Sequence, residues 1–304
     1  MHRLVLFGGS GYLGRVLTSF FGEKGWEVVV VSRSRPDFPA RYVGWDGETM
    51  GEWAREVDGA DAVINLAGKS VNCRYNEENK RIIRESRTKT TGLVARAIAE
   101  AKHPPRVWLN SSSATVYRHA VDRPMDEETG EIGKGFSVDV VRAWEEAFFS
   151  PDLPHTRRVA LRLAMAFGAG HGGVYEAFAS LVKVGFGGPM AGGRQYVSWI
   201  HVHDFVRACL FLIEHPDLEG AVNISSPHPR TNAQFLSDLR RAVHIPFALP
   251  TAKWQLQLGA LARGTETELL LKSRRVVPKR LLDAGFSFDF PHWVDAAQDV
   301  ASAK

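Results

Sequence analysis

A short apolar run, Leu4-Val5-Leu6-Phe7, feeds straight into glycines at positions 8, 9, 11 and 14. This is the pattern of a strand entering a nucleotide-binding turn. Gly8 and Gly9 can adopt the backbone angles of a tight turn, Gly11 lets the main chain approach a pyrophosphate, and Gly14 lets the following helix pack on the strand. The helix N-terminus then favours anionic phosphate. Glycine-rich turns are common, so the flanks carry the argument. Leu13, Val16, Leu17, Phe20 and Phe21 keep helical spacing after the turn, and Val28 to Val31 supply a second buried strand. The unit is a βαβ element of about thirty residues.

At the end of the second strand of such a unit, an acid holds the ribose 2′-hydroxyl of NAD, whereas an arginine accommodates the 2′-phosphate of NADP. This chain carries Ser32-Arg33-Ser34-Arg35, and its nearest acid, Asp37, lies beyond Pro36, where the chain turns away. The expected cofactor is therefore NADP(H), held by Ser32, Arg33 and Arg35. One charge-assisted arginine–phosphate contact contributes about 1.5–3 kcal/mol, a preference on the order of tenfold to a hundredfold over NAD(H).

Composition frames what this turn belongs to. At 304 residues, with 44% hydrophobic and 24% charged residues, the chain is globular and long enough for one large domain and a smaller one. Cys73 and Cys209 stand far apart with no CxxC partner, which suggests neither a disulfide framework nor a zinc site. A reducing cytoplasm is the expected compartment, since the first strand begins almost at once and leaves no room for a signal peptide. No apolar stretch reaches ~18 residues, so no membrane span is expected. The net charge of +4 and pI near 9.1 come from dispersed basic residues, which fit a phosphorylated cofactor better than nucleic acid.

Further along, apolar strands alternate with helical patterns, the signature of a parallel sheet covered on both faces. Strands are expected at Ala62 to Leu66, Val107 to Asn110 and Val159 to Leu163. Long helices are expected at Asn76 to Ala101, with an Asn76 cap and a Pro104-Pro105 stop, and at Phe136 to Phe149. From Gly168 the glycine density rises around a short helix, suggesting loops over a cleft. The fold class read from this is α/β, a Rossmann doubly wound parallel sheet with a smaller C-terminal α+β substrate domain. Residues 1–167, with 196–226 returning to them, form the nucleotide-binding domain; 168–195 and 227–304 form the smaller one.

Several motifs converge, and together they resemble the short-chain dehydrogenase/reductase superfamily, in its extended, sugar-nucleotide-epimerase-like branch. Gly8-Gly9-Ser10-Gly11-Tyr12-Leu13-Gly14 is similar to that branch's GxxGxxG turn, and Asn65-Leu66-Ala67-Gly68 to its NxAG strand end on the adenosine side of the cofactor. Ser111 to Tyr117 resembles its SSSxxVY segment, which places Ser113 on the catalytic serine or threonine. Trp199-Ile200-His201-Val202-His203-Asp204 resembles its [FY]-[IV]-H-V-x-D strand, at which Trp199 is expected to meet substrate. Gly187-Gly188-Pro189, Gly193-Arg194-Gln195 and the tail Pro278 to Phe286 look like an epimerase-like subgroup of uncertain reaction.

The chain also departs from that family's pattern. Its chemistry rests on Tyr-x-x-x-Lys at the start of the helix that here begins at Phe136, the tyrosine exchanging a proton and the lysine holding the ribose. Phe136 with Val140, or Ser137 with Val141 one residue on, occupy those places. Tyr117 is the alternative proton donor on the same strand exit as Ser113, unless it only packs beside the nicotinamide. The substrate-diphosphate arginine expected two residues before Trp199 is Val197, and Arg194 is the candidate substitute. Arg87 stands where extended relatives often place an asparagine.

The remaining features read blandly. His201-x-His203, taken as alternate strand residues, lacks a complete ligand set, so no metal is expected. Ser273-Arg274-Arg275 with Lys279-Arg280 reads as a solvated helix face. Ser113, His119 and Asp122 have no GxSxG elbow around the serine, and no GK[ST] follows the glycines. Two functional readings stay open. One is an NADP(H)-dependent epimerase-like oxidoreductase acting on a small carbonyl, hydroxyl or sugar-nucleotide-like substrate, as a monomer or a homodimer through the two long helices. The other is a catalytically silent NADP(H)-binding sensor.

Overall fold

The computed structural model describes residues 1–262 and 264–303. Its strands are β1 (Arg3–Phe7), β2 (Glu27–Ser32), β3 (Arg41–Gly44), β4 (Ala62–Asn65), β5 (Val107–Ser113), β6 (Arg157–Leu163), β7 (Met165–Phe167), β8 (Tyr196–Val197), β9 (Trp199–His201), β10 (Gly220–Ile224) and β11 (Arg230–Thr231). The helices are α1 (Tyr12–Glu23), α2 (Glu77–Glu100), α3 (Phe136–Phe149), α4 (Val174–Leu181), α5 (Val202–Glu214), α6 (Asn232–Ala242), α7 (Lys253–Ala262), α8 (Glu268–Leu271), α9 (Lys279–Asp283) and α10 (Trp293–Ser302).

Seven strands form one sheet in the order β10-β6-β5-β4-β1-β2-β3, and every pairing in it is parallel. Order reverses between β1 and β4, the topological switch point at which ligands of doubly wound sheets bind. The two faces divide by the strand period of two. Leu4 and Leu6 pack with Leu17, Phe21, Val206 and Leu212 of α1 and α5. Val5 and Phe7 face the other way, towards Trp45, Trp53 and the α2 residues Val94 and Ile98. Strands buried on both faces explain the continuous Val28 to Val31 run.

Local signals set the helix ends as the sequence suggested. The Asn76 side chain accepts a hydrogen bond from the Asn79 amide at 2.8 Å and caps α2, with Glu77 and Glu78 in the first turn. A separate core gathers Phe167, Phe178, Trp199, Phe235, Leu239 and Trp293, joining α4 and β9 to α6 and α10.

Two sequence expectations need correction here. His201 and His203 are not alternate strand residues: β9 ends at His201, whose imidazole accepts from the His203 amide at 3.2 Å and caps α5. The segment 273–275 is not a helix face but an extended run threaded inside the protein. Ser273 is fully buried and donates to the Ala120 carbonyl, while the Arg274 amide donates to the Tyr196 carbonyl at 2.9 Å. No helix among the described residues is long and apolar enough to cross a membrane.

Candidate functional site

The chain leaves β1 into the glycine turn and leaves β4 into Leu66-Ala67-Gly68, so both segments meet at the switch point. Their approach is backbone against backbone. Gly8 has φ +68°, and a β-carbon there would lie 2.6 Å from the Ala67 nitrogen. Asn65 holds the facing segment, its side-chain oxygen accepting from the Ala67 amide at 3.0 Å and its amide donating to Asn110 Oδ1 at 2.7 Å. A β-carbon at Gly14 would sit 2.0 Å from the Gly9 carbonyl oxygen, so α1 can seat on the turn only without one. Gly11 differs, because a β-carbon there would meet nothing within 4 Å. It looks into open space at the start of α1, where no side chain caps the first turn.

That space is a cavity of 550 Å³. Of the residues expected to hold a cofactor, Gly8, Ser10, Gly11, Ser32, Arg33, Leu66, Ala67 and Gly68 line it. Basic Arg33, Lys69, Arg81 and Lys89 outnumber acidic Asp46, Glu48 and Glu85 on its walls, and two of those acids are engaged locally. Asp46 accepts from the Glu48 and Thr49 amides and from the Thr49 hydroxyl, which holds its carboxyl below the usual range. Glu85 pairs with Lys89 at 2.9 Å and Arg81 at 3.1 Å. A long anionic ligand with phosphates near Gly11 and Arg33 fits this lining.

The other expected cofactor residues act behind or beside the cavity. Gly9 packs against Leu6 and Val30 of the core. Leu13 is half-buried against the core face of the sheet. Tyr12 sends its hydroxyl to the Ala169 carbonyl at 3.0 Å, tying α1 to the glycine loop, and burial pushes its phenol up to about 12. Arg35 is exposed and lies over the Tyr42 ring, 5.6 Å from its centroid, so it is not part of the lining. Both carboxylate oxygens of Asp37 accept from Arg15 Nη2 at 2.7 Å, and Asp37 is not part of the lining.

Leu66 and Gly68 also wall a second, adjoining cavity of 270 Å³, lined by Ser111, Ser112, Ser113, Thr115, Tyr75, Arg87, Phe136, Ser137, Val140 and Trp144. Ser113 ends β5 and caps the following turn; its hydroxyl accepts from the Thr115 amide at 3.2 Å and hydroxyl at 3.1 Å. Phe136 and Val140 stand in its wall, one helical turn apart at the start of α3. Arg87 lies over Trp144 at 5.1 Å and donates to the Ile83 carbonyl; burial lowers its guanidinium to about 10. A third cavity of 200 Å³ shares Val71, Ser113, Thr115, Leu163 and Ala164 with the second and adds Phe178, Tyr196, Val197, Lys272 and Arg274.

Three expected site residues lie elsewhere. Tyr117 is 1% exposed and lines neither Ser113 cavity. Its hydroxyl donates to Asn223 Oδ1 at 2.9 Å and accepts from Arg162 at 3.0 Å. Arg162 in turn grips Glu145 through two 2.8 Å contacts, and Glu145 accepts from Ser112 at 2.6 Å. Burial raises the Tyr117 phenol, and this network turns it away from the cavity because Arg162 enters from β6. Trp199 is fully buried against Trp293, its indole N–H reaching the His228 carbonyl at 3.2 Å, and it is core rather than substrate wall. Arg194 is exposed and lines neither cavity. Tyr75 is the cavity tyrosine that sequence reasoning missed. It precedes α2, touches Phe136 edge-on at 4.9 Å, and its phenol is raised by burial and by the charge of Glu268.

Comparison with known proteins agrees with this architecture. Residues 4–225 match the model of the NAD dependent epimerase/dehydratase family, and residues 253–300 match a domain of unknown function, DUF1731. The mouse (Mus musculus) epimerase family protein SDR39U1 is 30% identical over 304 residues, spanning 99% of this chain and 100% of the relative. An epimerase family protein of Mycobacterium leprae is 32% identical over 289 residues, 94% of this chain and 91% of that one. The crystal structure of the human SDR39U1 protein with NADPH superposes with a TM-score of 0.87 at 29% identity, covering 98% of this chain and 99% of that chain. A seven-stranded parallel sheet with the glycine turn at its switch point, together with a family match over residues 4–225, places the assignment beyond fold analogy: the chain belongs to the NAD dependent epimerase/dehydratase family.

Proposed function

We propose that this protein is an NADP(H)-dependent oxidoreductase or epimerase-like enzyme for a small carbonyl or hydroxyl compound. The observation that carries the reading is a pair of adjoining cavities, sharing Leu66 and Gly68, that line up Arg33 and Gly11 in the first with Ser113 in the second. A dinucleotide laid along them has its adenosine end at Ser32, Arg33 and Ser34, its pyrophosphate at Gly11, and its nicotinamide end beside Ser113. The NADPH in the human relative's structure supports the same cofactor here. When bound, the nicotinamide supplies or accepts a hydride.

The protein's own part is orientation and proton handling. Ser113 presents a hydroxyl to the substrate oxygen from the rigid end of β5. Tyr75 replaces Tyr117 as the candidate proton donor, because it lines the same cavity as Ser113 whereas Tyr117 does not. By resemblance, Phe136 and Val140 take the places of the wider superfamily's Tyr-x-x-x-Lys pair, an absence at which Arg87 of α2 brings a positive charge to the same cavity wall. That absence favours the second reading, a silent NADP(H) sensor. The retained hydroxyl-lined cavity favours the enzyme, since Phe136 walls the space without filling it and Trp199 lies outside it.

Calorimetric titration with NADPH, NADP⁺ and NADH tests the cofactor. Tight NADP(H) and weak NADH binding are expected, followed by NADPH oxidation in a screen of small aldehydes and ketones. Failure to bind any dinucleotide would overturn both readings. Binding with no turnover across the screen, and unequal affinity for the two redox forms, would move the assignment to the sensor.

A further inference from the structure

The segment joining α8 to α9 holds a buried arginine whose guanidinium donates no hydrogen bond among the described residues. Arg274 is 9% exposed, and its Nε, Nη1 and Nη2 atoms find no hydrogen-bond partner among the described residues. The nearest carboxylate, Glu268, stands 3.8 Å away and is already engaged, accepting from Lys272 at 2.9 Å and from Ser137 at 2.8 Å. Burial lowers the guanidinium to about 10, which leaves it charged at neutral pH. The backbone needs no help from this side chain. The Arg274 amide donates to the Tyr196 carbonyl, and its carbonyl accepts from Ser198 Oγ at 2.7 Å, fixing the segment beside β8 and β9.

A buried charge whose donors are unused costs stability and persists where a ligand completes it. Arg274 lines the 200 Å³ cavity that also contains Ser113, Thr115 and Lys272, with Leu163 and Phe178 as apolar wall. Val197, where an arginine would be expected from the extended-family pattern, lines the same cavity. The positive charge absent from β8 is thus brought to the same space from residue 274.

We propose that Arg274 is the substrate-binding residue for a single small oxyanion, a carboxylate or phosphate, carried by a molecule whose reacting oxygen sits at Ser113. The inference rests on the functional reading above and narrows its substrate class. A planar guanidinium binds such groups bidentately. The volume left once a nicotinamide occupies the second cavity is below the roughly 300–1,000 Å³ of ordinary drug-sized sites, which points away from a nucleotide sugar and towards a compact acid.

The test uses full-length protein saturated with NADP⁺, titrated at constant ionic strength with acetate (followed by proton NMR), with inorganic phosphate (followed by phosphorus NMR) and with neutral acetamide. Saturable binding of at least one anion and none of acetamide is expected; the two anions separate the carboxylate from the phosphate. Arg274→Met should weaken that anion by about tenfold to a hundredfold while leaving NADP⁺ affinity unchanged. It should leave the melting temperature unchanged or raise it, because three buried donors without hydrogen-bond partners are removed while Glu268 keeps Lys272 and Ser137. Arg274→Lys should retain part of the anion affinity. A purely structural arginine predicts the reverse, a lower melting temperature with anion binding unaltered, and that result overturns the proposal, as does equal uptake of acetamide and acetate. Repeating the acetate titration without cofactor keeps the two readings apart. Loss of NADP⁺ binding defeats the cofactor assignment, whereas intact NADP⁺ binding with no anion site defeats only Arg274.

Discussion

Gly11 and Gly14 belong to one motif, yet alanine at each should fail in a different way. At Gly11 a β-carbon meets nothing within 4 Å and the backbone, at φ −91°, is open to any residue. Restricting the unfolded chain contributes about 0.4–1 kcal/mol in favour of Gly11→Ala, while losing glycine at a helix N-cap costs a few tenths or more. Net stability should stay within about 0.5 kcal/mol of the parent. The new methyl instead occupies cofactor space, and overpacking of about 1–3 kcal/mol corresponds to roughly 5- to 150-fold weaker NADPH binding. At Gly14 the methyl would stand 2.0 Å from a backbone oxygen. Neither the turn nor α1 can yield cheaply there, and the helix propensity gain of ~1 kcal/mol does not offset the clash. Gly14→Ala should lower the melting temperature by several degrees even without cofactor. Thermal melts of both variants, apo and with saturating NADPH, give all four values. If apo Gly11→Ala melts well below the parent, or binds NADPH normally, the placement of Gly11 at the pyrophosphate is wrong.

Other consequences can be checked more briefly. Arg33→Asp should reverse the NADPH over NADH preference, from tenfold to a hundredfold in one direction to parity or inversion, by loss of about 1.5–3 kcal/mol of phosphate contact; unchanged NADPH affinity in the calorimeter would remove Arg33 from the site. Tyr117→Phe leaves Arg162 and Asn223 each short of a buried partner and should cost about 1–3 kcal/mol in denaturant unfolding with NADPH affinity unaltered; weaker NADPH binding at parental stability would contradict it. Glu127 is half-buried, and desolvation raises its carboxyl although it accepts from the Asn223 amide. Its folded value exceeds its unfolded one, so its contribution is fully present below the unfolded value and is lost as pH rises through the folded value. Glu127→Gln should therefore stabilise the protein at pH 7–8 and lose that advantage near pH 4, and melts showing the advantage growing towards acid would refute the sign.

The β1-turn-α1-β2 unit was legible in the sequence because all its determinants are local. An apolar run, glycines at set spacing and a helical stripe decide conformation within thirty residues, and the Asn76 cap and the Phe136 start of α3 are local in the same sense. The parallel sheet followed from alternation of strands and helices, and Arg33 from its place at the end of β2. Motif resemblance went further than local physics, and two of the side chains it singled out lie away from the Ser113 cavities. Tyr117 and Trp199 sit on the expected segments, but where they point depends on partners far along the chain: Asn223 and Arg162 for the first, Trp293 for the second. Ser273-Arg274-Arg275 has the composition of a solvated face, and nothing nearby in sequence reveals that Tyr196 and Ser198 hold it inside.

By itself, then, the sequence determined the nucleotide-binding half of the fold and placed Arg33 at the end of β2, on the wall of the first cavity, since each rests on contacts between near neighbours. Only the tertiary structure decided the substrate end. Tyr75 from the approach to α2, Ser113 from β5 and Arg274 from the stretch before α9 are separated by dozens of residues; only once the whole chain is packed does Ser113 share one cavity with Tyr75 and the adjoining one with Arg274.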